Sequence, residues 1–329
     1  MQKIGAGVIA GAGYTGGELV RLLLNHDRVE IVFVQSRSQA GKPLHSVHTD
    51  LLGTTSLTFT AEPNLQDPKL NVLFMALPYG EAKTFLEKNK IPAKVRIIDL
   101  SHDFRLNSNS TVGARKFVYG LPELRREEIR ASDSIANPGC FATAIQLALL
   151  PLAKSKKLGE VSVTGVTGST GAGQKLTETS QFSYRLNNIS SYKTLNHQHV
   201  AEIEQSLQFL QGDAQPKVFF VPWRGDFTRG IFVSALVSSD LSKEKALDLY
   251  RAYYEGHPFI SVTGEAISMK SVVNTNRAQI EINQADGKLA INVAIDNLLK
   301  GASGQAVQNM NLMYAFPEDM GLKLKGVVF

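Results

Sequence analysis

A single cysteine in 329 residues, Cys140, rules out an intrachain disulfide framework and makes a reducing compartment the simpler expectation. No stretch reaches the roughly 18 consecutive apolar residues of a membrane span, since the longest candidate, Ala142 to Ala153, is broken by Gln146 and Pro151. Met1 to Ala10 holds one lysine and has neither the apolar stretch nor the cleavage site of a signal peptide, so a cytoplasmic protein is expected. Charge of one sign is scarce too: 35 basic residues face 30 acidic ones, a net charge of +5, and only Lys154, Lys156 and Lys157 cluster. That excess is weak ground for nucleic acid and serves a small anionic substrate or cofactor equally well. Repeats, low-complexity tracts and disordered linkers are absent.

What is present is ordinary globular material, 43% hydrophobic and 20% charged, long enough for two domains with cores of their own. The first hundred residues alternate β-rich runs with helical patterns. Ile4–Ala10, Val29–Val34, Asn71–Leu77 and Val95–Leu100 read as strands, and Glu18–Asn25 and Glu81–Asn89 as helices, the pattern of a parallel sheet with crossover helices. Beyond Asn137 the pattern changes. A helix over Phe141–Leu150 precedes strand-like runs at Val161–Thr167, Lys217–Trp223, Gly230–Ser238 and Leu289–Ile295, with one further strong helix from Ser242 to Gly256. Many strands and few helices predict an α+β domain with a largely antiparallel or mixed sheet covered on one face. The last segment, Ala302–Ala315, sets Ala302, Ala306, Met310 and Met313 on one helical face and is expected to pack back on the first domain.

Gly11-Ala12-Gly13-Tyr14-Thr15-Gly16 satisfies G-x-G-x-x-G between a strand and a helix, where glycine lets the backbone approach a pyrophosphate held at the positive helix end. The alternative is a plain tight turn. About 20 residues further on, where an NAD-binding protein presents an acid to the ribose, this chain has Gln35-Ser36-Arg37-Ser38. An acid would repel a 2′-phosphate, whereas Arg37 between two hydroxyls donates to one, so NADP is favoured unless Arg37 is merely a solvated loop residue.

Cys140 follows Asn137-Pro138-Gly139 and opens an apolar helical run. Unpaired amides and the helix dipole stabilise a thiolate there, which prepares a nucleophile; the competing reading is a small buried hydrophobe. His197 and His199 stand just ahead of another helical pattern. No second cluster completes a metal site around them, and an imidazole acting as acid and base beside Cys140 is the simpler chemistry.

Eight blocks then stand in one order: Gly-Ala-Gly-Tyr-Thr-Gly-Gly-Glu-Leu, Ser-Arg-Ser-Gln-Ala-Gly-Lys, Asp-Leu-Ser-His-Asp-Phe-Arg-Leu, Tyr-Gly-Leu-Pro-Glu, Asn-Pro-Gly-Cys, Gly-Ser-Thr-Gly-Ala-Gly, His-Gln-His-Val-Ala-Glu-Ile and Asp-Asn-Leu-Leu-Lys-Gly-Ala-Ser-Gly-Gln-Ala. From Gly11 to Leu322 the chain resembles the N-acetyl-gamma-glutamyl-phosphate reductases of arginine biosynthesis. The resemblance implies an α/β fold similar to the glyceraldehyde-phosphate and aspartate-semialdehyde dehydrogenases: a Rossmann NADP-binding domain (1–139 and 302–329) and an inserted α+β catalytic and oligomerisation domain with a mixed sheet (140–301). It implies Cys140 as nucleophile and His199 as acid/base. Gly11, Gly13, Tyr14, Thr15 and Gly16 would cradle the pyrophosphate, Ser36, Arg37 and Ser38 would hold the 2′-phosphate, and Asn297 with the Gly301–Gln305 turn would lie near the nicotinamide. The implied reaction is reduction of an acyl phosphate to a semialdehyde by NADPH through a cysteine thioester, in a homo-oligomer, dimer or tetramer, with no metal, membrane or nucleic-acid partner. Arg105 or Arg115 would bind the departing phosphate, or else pair with a structural acid.

Departures from the family pattern are Tyr79 for a common histidine, His102 for alanine, and Pro222-Trp223-Arg224 for Pro-His-Leu. The last suggests that Trp223 and Arg224 line an N-acyl pocket in which Arg224 meets a carboxylate, as a succinyl group would offer; the alternative is a domain or subunit contact. Two rivals remain at this level: a reductase of another acyl phosphate, such as an aspartate-semialdehyde dehydrogenase, and a non-catalytic NADP-binding sensor.

Overall fold

A computed structural model of the chain describes residues 3–212 and 216–328. The chain divides into two compact units, one of Met1–Pro138 with Ala302–Lys323 and a second of Gly139–Gly301 with Leu324–Phe329. The sequence pattern assigns everything after Gly301 to the first domain, but the last residues belong to the second unit. There the Val327 amide donates to the Val273 carbonyl at 3.4 Å and Asn274 Nδ2 to the Lys325 carbonyl at 3.2 Å.

In chain order the first unit runs β1 (Ile4–Ile9), α1 (Tyr14–Leu24), β2 (Val29–Gln35), β3 (Phe59–Thr60), β4 (Leu70–Met75), α2 (Glu81–Lys88), β5 (Arg96–Asp99), the hairpin β6 (Thr111–Val112) and β7 (Arg115–Lys116), β8 (Val118–Tyr119), α3 (Pro122–Ala131) and β9 (Ser134–Ala136). Seven strands form one sheet in the order β3-β2-β1-β4-β5-β9-β8, with every pair parallel. The order reverses between β1 and β4, so a crevice opens outside the carboxyl ends of those two strands, where doubly wound sheets bind their ligands. Both faces are covered, which is why Leu70, Val72, Leu73, Phe74 and Met75 are all buried along β4. The core beneath α2 joins Ile9, Phe33, Leu73, Met75, Ile97 and the stacked rings of Phe104 and Phe117, 4.1 Å apart.

The second unit runs α4 (Cys140–Lys154), β10 (Val161–Thr167), α5 (Phe182–Arg185), β11 (Ser190–Ser191), α6 (His199–Gln211), β12 (Val218–Arg224), β13 (Ile231–Ser238), α7 (Lys243–Tyr253), β14 (Ile260–Thr263), β15 (Ala278–Ala285) and β16 (Lys288–Ile295). Its sheet has the order β11-β12-β10-β13-β16-β15-β14 and is mixed: β10–β12 and β14–β15 pair parallel, and the remaining pairs are antiparallel. Strand period two sorts the side chains. Val161 and Val163, Phe220, Ile231, Val233 and Ala235, and Ile291 and Val293 are buried on one face, while Phe219 and Leu236 are exposed on the other. The helix α4 is buried along nearly its whole length from Phe141 to Ala153, so it reads as an unbroken apolar run rather than a stripe.

The chain then returns through a π turn at Leu299–Ser303 into α8 (Gly304–Met313), which packs on α1 and α3 of the first unit. Burial of α8 is complete all round, not confined to the face of Ala306 and Met310, and its polar side chains are bonded accordingly. Asn309 Nδ2 donates to Asn137 Oδ1 at 3.0 Å and to the Gly120 carbonyl at 2.8 Å, and Asn311 Oδ1 lies 2.9 Å from Nε2 of His26.

Candidate active site

In the first unit, β1 delivers the glycine loop to the amino end of α1. Gly13 is the N-cap, extended at φ −76°, with no side-chain cap and no acid in the first turn, so the opening amides of α1 face no competing carboxylate. The glycines differ in what they are for. A Cβ on Gly16 would meet Gly11 Cα at 2.6 Å and the Ala10 carbonyl oxygen at 2.8 Å, so Gly16 closes the turn, whereas one on Gly13 would meet nothing closer than 3.9 Å. Packing does not demand glycine at 13; the open space above its backbone leaves room for a pyrophosphate, and the loop fits a dinucleotide on that account. Past β2, Ser36 is buried with its hydroxyl 3.5 Å from that of Ser38, and Arg37 stands in solvent, loosely opposite Glu62 at 3.7 Å. An exposed guanidinium flanked by two hydroxyls suits a 2′-phosphate.

The second unit carries the thiol. Cys140 is in no disulfide and is the first residue of α4, whose N-cap Gly139 is extended and whose first turn holds no acid. Below it, α6 begins at His199. Glu202, one turn along α6 and fully buried, accepts the Gly139 amide on Oε2 at 3.1 Å and places Oε1 3.9 Å from Nε2 of His199. One carboxylate therefore ties the imidazole's helix to the backbone immediately before the thiol. Glu202 escapes the sequence reading, although the i, i+3 spacing from His199 was its available signal. His197 does different work: its Nδ1 accepts the His199 amide at 3.2 Å, and its ring sits among Phe141, Phe220 and Tyr192 at 5.4 to 5.9 Å. That cage makes it a packing residue.

Tyr192, also missed, completes the surroundings. Burial pushes its phenol up, and the neighbouring Cys140 charge pushes it further the same way, so it stays a neutral hydroxyl beside the thiol. The Arg224 guanidinium lies 4.7 Å over the Tyr192 ring, its Nε is buried without a hydrogen-bond partner, and among the described residues it meets no carboxylate. Trp223 does not join it. Adjacent strand residues point to opposite faces, and Trp223 Nε1 donates at 3.0 Å to Thr164 Oγ1 on the other side of the sheet, so the two cannot line one pocket.

The remaining sequence candidates are committed elsewhere. Arg105, buried in the first unit, donates to the Leu100 carbonyl at 2.9 Å, and Arg115 donates to the Pro92 carbonyl at 2.9 Å and Ser134 Oγ at 3.3 Å. In the second unit Asn297 accepts the Gly230 amide at 2.7 Å and donates to Thr170 Oγ1 at 3.0 Å, which fastens a turn and occupies the amide expected near the nicotinamide. Tyr79 and His102, two departures from the family pattern, contact each other edge to face with centroids 5.4 Å apart.

A thiol on a bare helix start, an imidazole 3.9 Å from a buried carboxylate and a guanidinium that among the described residues meets no carboxylate together suit covalent acyl transfer to sulfur from an anionic acyl donor. Comparison with known proteins agrees. Residues 5–132 match the family described as semialdehyde dehydrogenase, NAD binding domain, and residues 140–297 match semialdehyde dehydrogenase, dimerisation domain. The chain is 50% identical over 323 residues to the N-acetyl-gamma-glutamyl-phosphate reductase of Flavobacterium johnsoniae, covering 98% of both chains. It is 50% identical over 327 residues to that of Bacteroides thetaiotaomicron, covering 99% of this chain and 100% of the other. Among solved structures, aspartate semialdehyde dehydrogenase II from Vibrio cholerae shares the fold, with a TM-score of 0.72 at 16% identity over 96% of this chain and 99% of that one. The aspartate semialdehyde dehydrogenase of Candida albicans does so with a TM-score of 0.70 at 14% identity over 97% and 100%.

Proposed function

The chain belongs to the N-acetyl-gamma-glutamyl-phosphate reductase family, and from that premise we propose that it reduces N-acetyl-gamma-glutamyl phosphate to the semialdehyde with NADPH, releasing phosphate, in arginine biosynthesis. The observation that carries the reading is the thiol at an uncapped helix start with Glu202 joining its backbone to His199.

The Cys140 sulfur attacks the acyl carbon, and the bond to the phosphate oxygen breaks as phosphate leaves with its electron pair, giving a thioester. Amides at the start of α4 donate to the oxygen that becomes negative during this step. When bound, NADPH supplies a hydride, which brings the thioester carbon to the aldehyde level. His199 gives a proton to the substrate oxygen and takes it back as the carbon–sulfur bond breaks, which frees the semialdehyde and restores the thiolate. Glu202 holds the imidazole in place and balances its charge while it carries the extra proton. The loop from Gly11 to Gly16 holds the pyrophosphate, and Ser36, Arg37 and Ser38 hold the 2′-phosphate. Arg105 and Arg115, each bound to backbone carbonyl groups, stabilise loops of the first unit and are not assigned to the phosphate.

Arg224 receives a substrate carboxylate. Every N-acyl-glutamyl phosphate carries one, and a guanidinium without a carboxylate of its own favours a second reading in which the acyl group is succinyl and brings another. The exposed sheet face of Phe219 and Leu236 lies in the part matching the dimerisation domain and is the surface by which copies join as a homodimer or tetramer. The reaction is placed in the cytoplasm, where a reactive thiol stays reduced. No helix among the described residues is long and apolar enough to cross a membrane. The decisive assay is phosphate-dependent oxidation of N-acetyl- and N-succinyl-glutamate semialdehyde, followed by NADPH absorbance; no turnover of either ends the reading, and their ratio identifies the acyl group.

A further inference from the structure

The segment around Leu44–Leu51 has no part in the chemistry above, yet it is fastened to the dinucleotide loop and to α1. His48 is buried, with Nε2 2.8 Å from the Gly11 carbonyl oxygen. A carbonyl only accepts, so Nε2 carries the hydrogen and donates. The ring also fills the space over Gly17, where a Cβ would come within 2.5 Å of Cε1 and 2.7 Å of Nδ1. Two residues on, Asp50 takes both arms of the Arg21 guanidinium, Nη2 to Oδ1 at 2.7 Å and Nε to Oδ2, so the segment is clipped to α1 as well.

The loop needs such holding. Ala10 has φ +58°, a left-handed conformation that costs a non-glycine residue about 1 kcal/mol and persists only where the surroundings over-determine it. Gln35 supplies two of the ties, its side chain accepting the Ala10 amide at 3.1 Å and its carbonyl the Gly11 amide at 2.8 Å. His48 supplies a third. In a trans peptide the carbonyl and the following N–H point in opposite directions, so drawing the Gly11 oxygen toward His48 aims the Ala12 N–H the other way.

We propose that His48 is a positioning residue for cofactor binding, which holds the Gly11–Gly16 loop in its pyrophosphate-accepting conformation before NADPH arrives. Burial keeps the imidazole pKa below its ordinary value, against the opposing pull of the Gly11 bond and with Arg21, Asp50 and Glu18 as the charged groups around it, so the ring does this in its neutral form. Pre-formed loops bind more tightly because the ordering cost is met at folding rather than at binding.

This rests on NADPH as the cofactor, and one titration separates the two claims. NADPH Kd is measured by nucleotide fluorescence for wild type, His48→Leu, His48→Gln, Gly17→Ala, and His48→Ala with and without Gly17→Ala. His48→Leu should raise Kd about tenfold, as expected for one lost hydrogen bond, and His48→Gln, which keeps a donor, should recover to within about threefold. Alkylation of Cys140 by iodoacetamide should keep its wild-type rate throughout. Should His48→Leu fail to fold, Gly17→Ala replaces it: the added methyl presses the ring off Gly11 and raises Kd similarly, but adds nothing once His48 is alanine. Wild-type Kd in His48→Leu or in Gly17→Ala, failure of His48→Gln to recover, or additive losses in the double variant would overturn the inference. Failure of wild type to bind NADPH overturns the cofactor reading itself.

Discussion

Glu202 and Gly139 are joined by a 3.1 Å hydrogen bond in which a fully buried carboxylate accepts a backbone amide, and the same carboxylate lies 3.9 Å from the His199 imidazole. Replacing Glu202 by glutamine keeps an acceptor for the amide and removes the charge. The expected result is a fall in kcat of about ten- to a hundredfold with native stability, together with a displaced acid limb in the pH profile of kcat/KM. A profile superimposable on that of wild type would reduce Glu202 to a structural tie.

Cys140→Ser swaps a polarisable thiolate for a hydroxyl that is scarcely ionised at neutral pH. Turnover should fall by at least about a thousandfold, the thioester trapped from wild type by rapid quenching should vanish, and the thermal midpoint should move little. Retained turnover would remove sulfur from the mechanism.

In the proposed reading, Arg224→Ala leaves a substrate carboxylate without its partner. KM for the acyl phosphate should rise by about ten- to a hundredfold while that for NADPH stays level, and Arg224→Lys should recover part of the loss. If N-succinyl substrate suffers more than N-acetyl substrate, the guanidinium faces the acyl end; equal losses place it on the glutamyl carboxylate.

Two buried groups of the first unit bend stability in opposite directions with pH. The Asp99 carboxyl is fully buried, and desolvation raises it from 3.8 to about 7 against the pull of Ser101, whose hydroxyl donates to it at 2.6 Å. The native state then holds a proton that the unfolded chain has released, so its contribution is present below pH 3.8 and lost as pH rises toward 7. The loss is on the order of 4 kcal/mol. Asp99→Asn should remove that decline, so that its urea midpoint gains on wild type between about pH 5 and pH 7. His26 behaves oppositely. Its Nδ1 accepts the Arg28 amide at 3.2 Å and burial holds its pKa below 6.5, so its contribution is present above pH 6.5 and lost as pH falls further. His26→Gln should be less stable at neutral pH and should flatten the acid limb; parallel curves would contradict both assignments.

Much of this was legible in the chain because it depends on local pattern. The glycine loop, the β-branched run of β2 and the apolar runs of β1, β4 and β13 each reflect contacts close in sequence. What escaped depends on contacts far apart. Glu202 looks like any helical glutamate until folding brings it to Gly139, 63 residues away. The short strands β8 and β9 are too brief to carry periodicity, and α3 is so rich in charge that its sequence, Pro-Glu-Leu-Arg-Arg-Glu-Glu-Ile-Arg-Ala, shows almost no apolar face. Strand register settled Trp223 and Arg224, which look like one pair in the sequence and stand back to back in the sheet.

Asn137 Nδ2 donates at 3.1 Å to the carbonyl of Ala302, across 165 positions of sequence. Both ends of the excursion through the thiol-bearing unit are therefore pinned to one spot on the nucleotide-binding unit, like the two feet of a staple. A short glycine bridge from Pro138 to Ala302 should leave a free-standing nucleotide-binding module that folds without the rest.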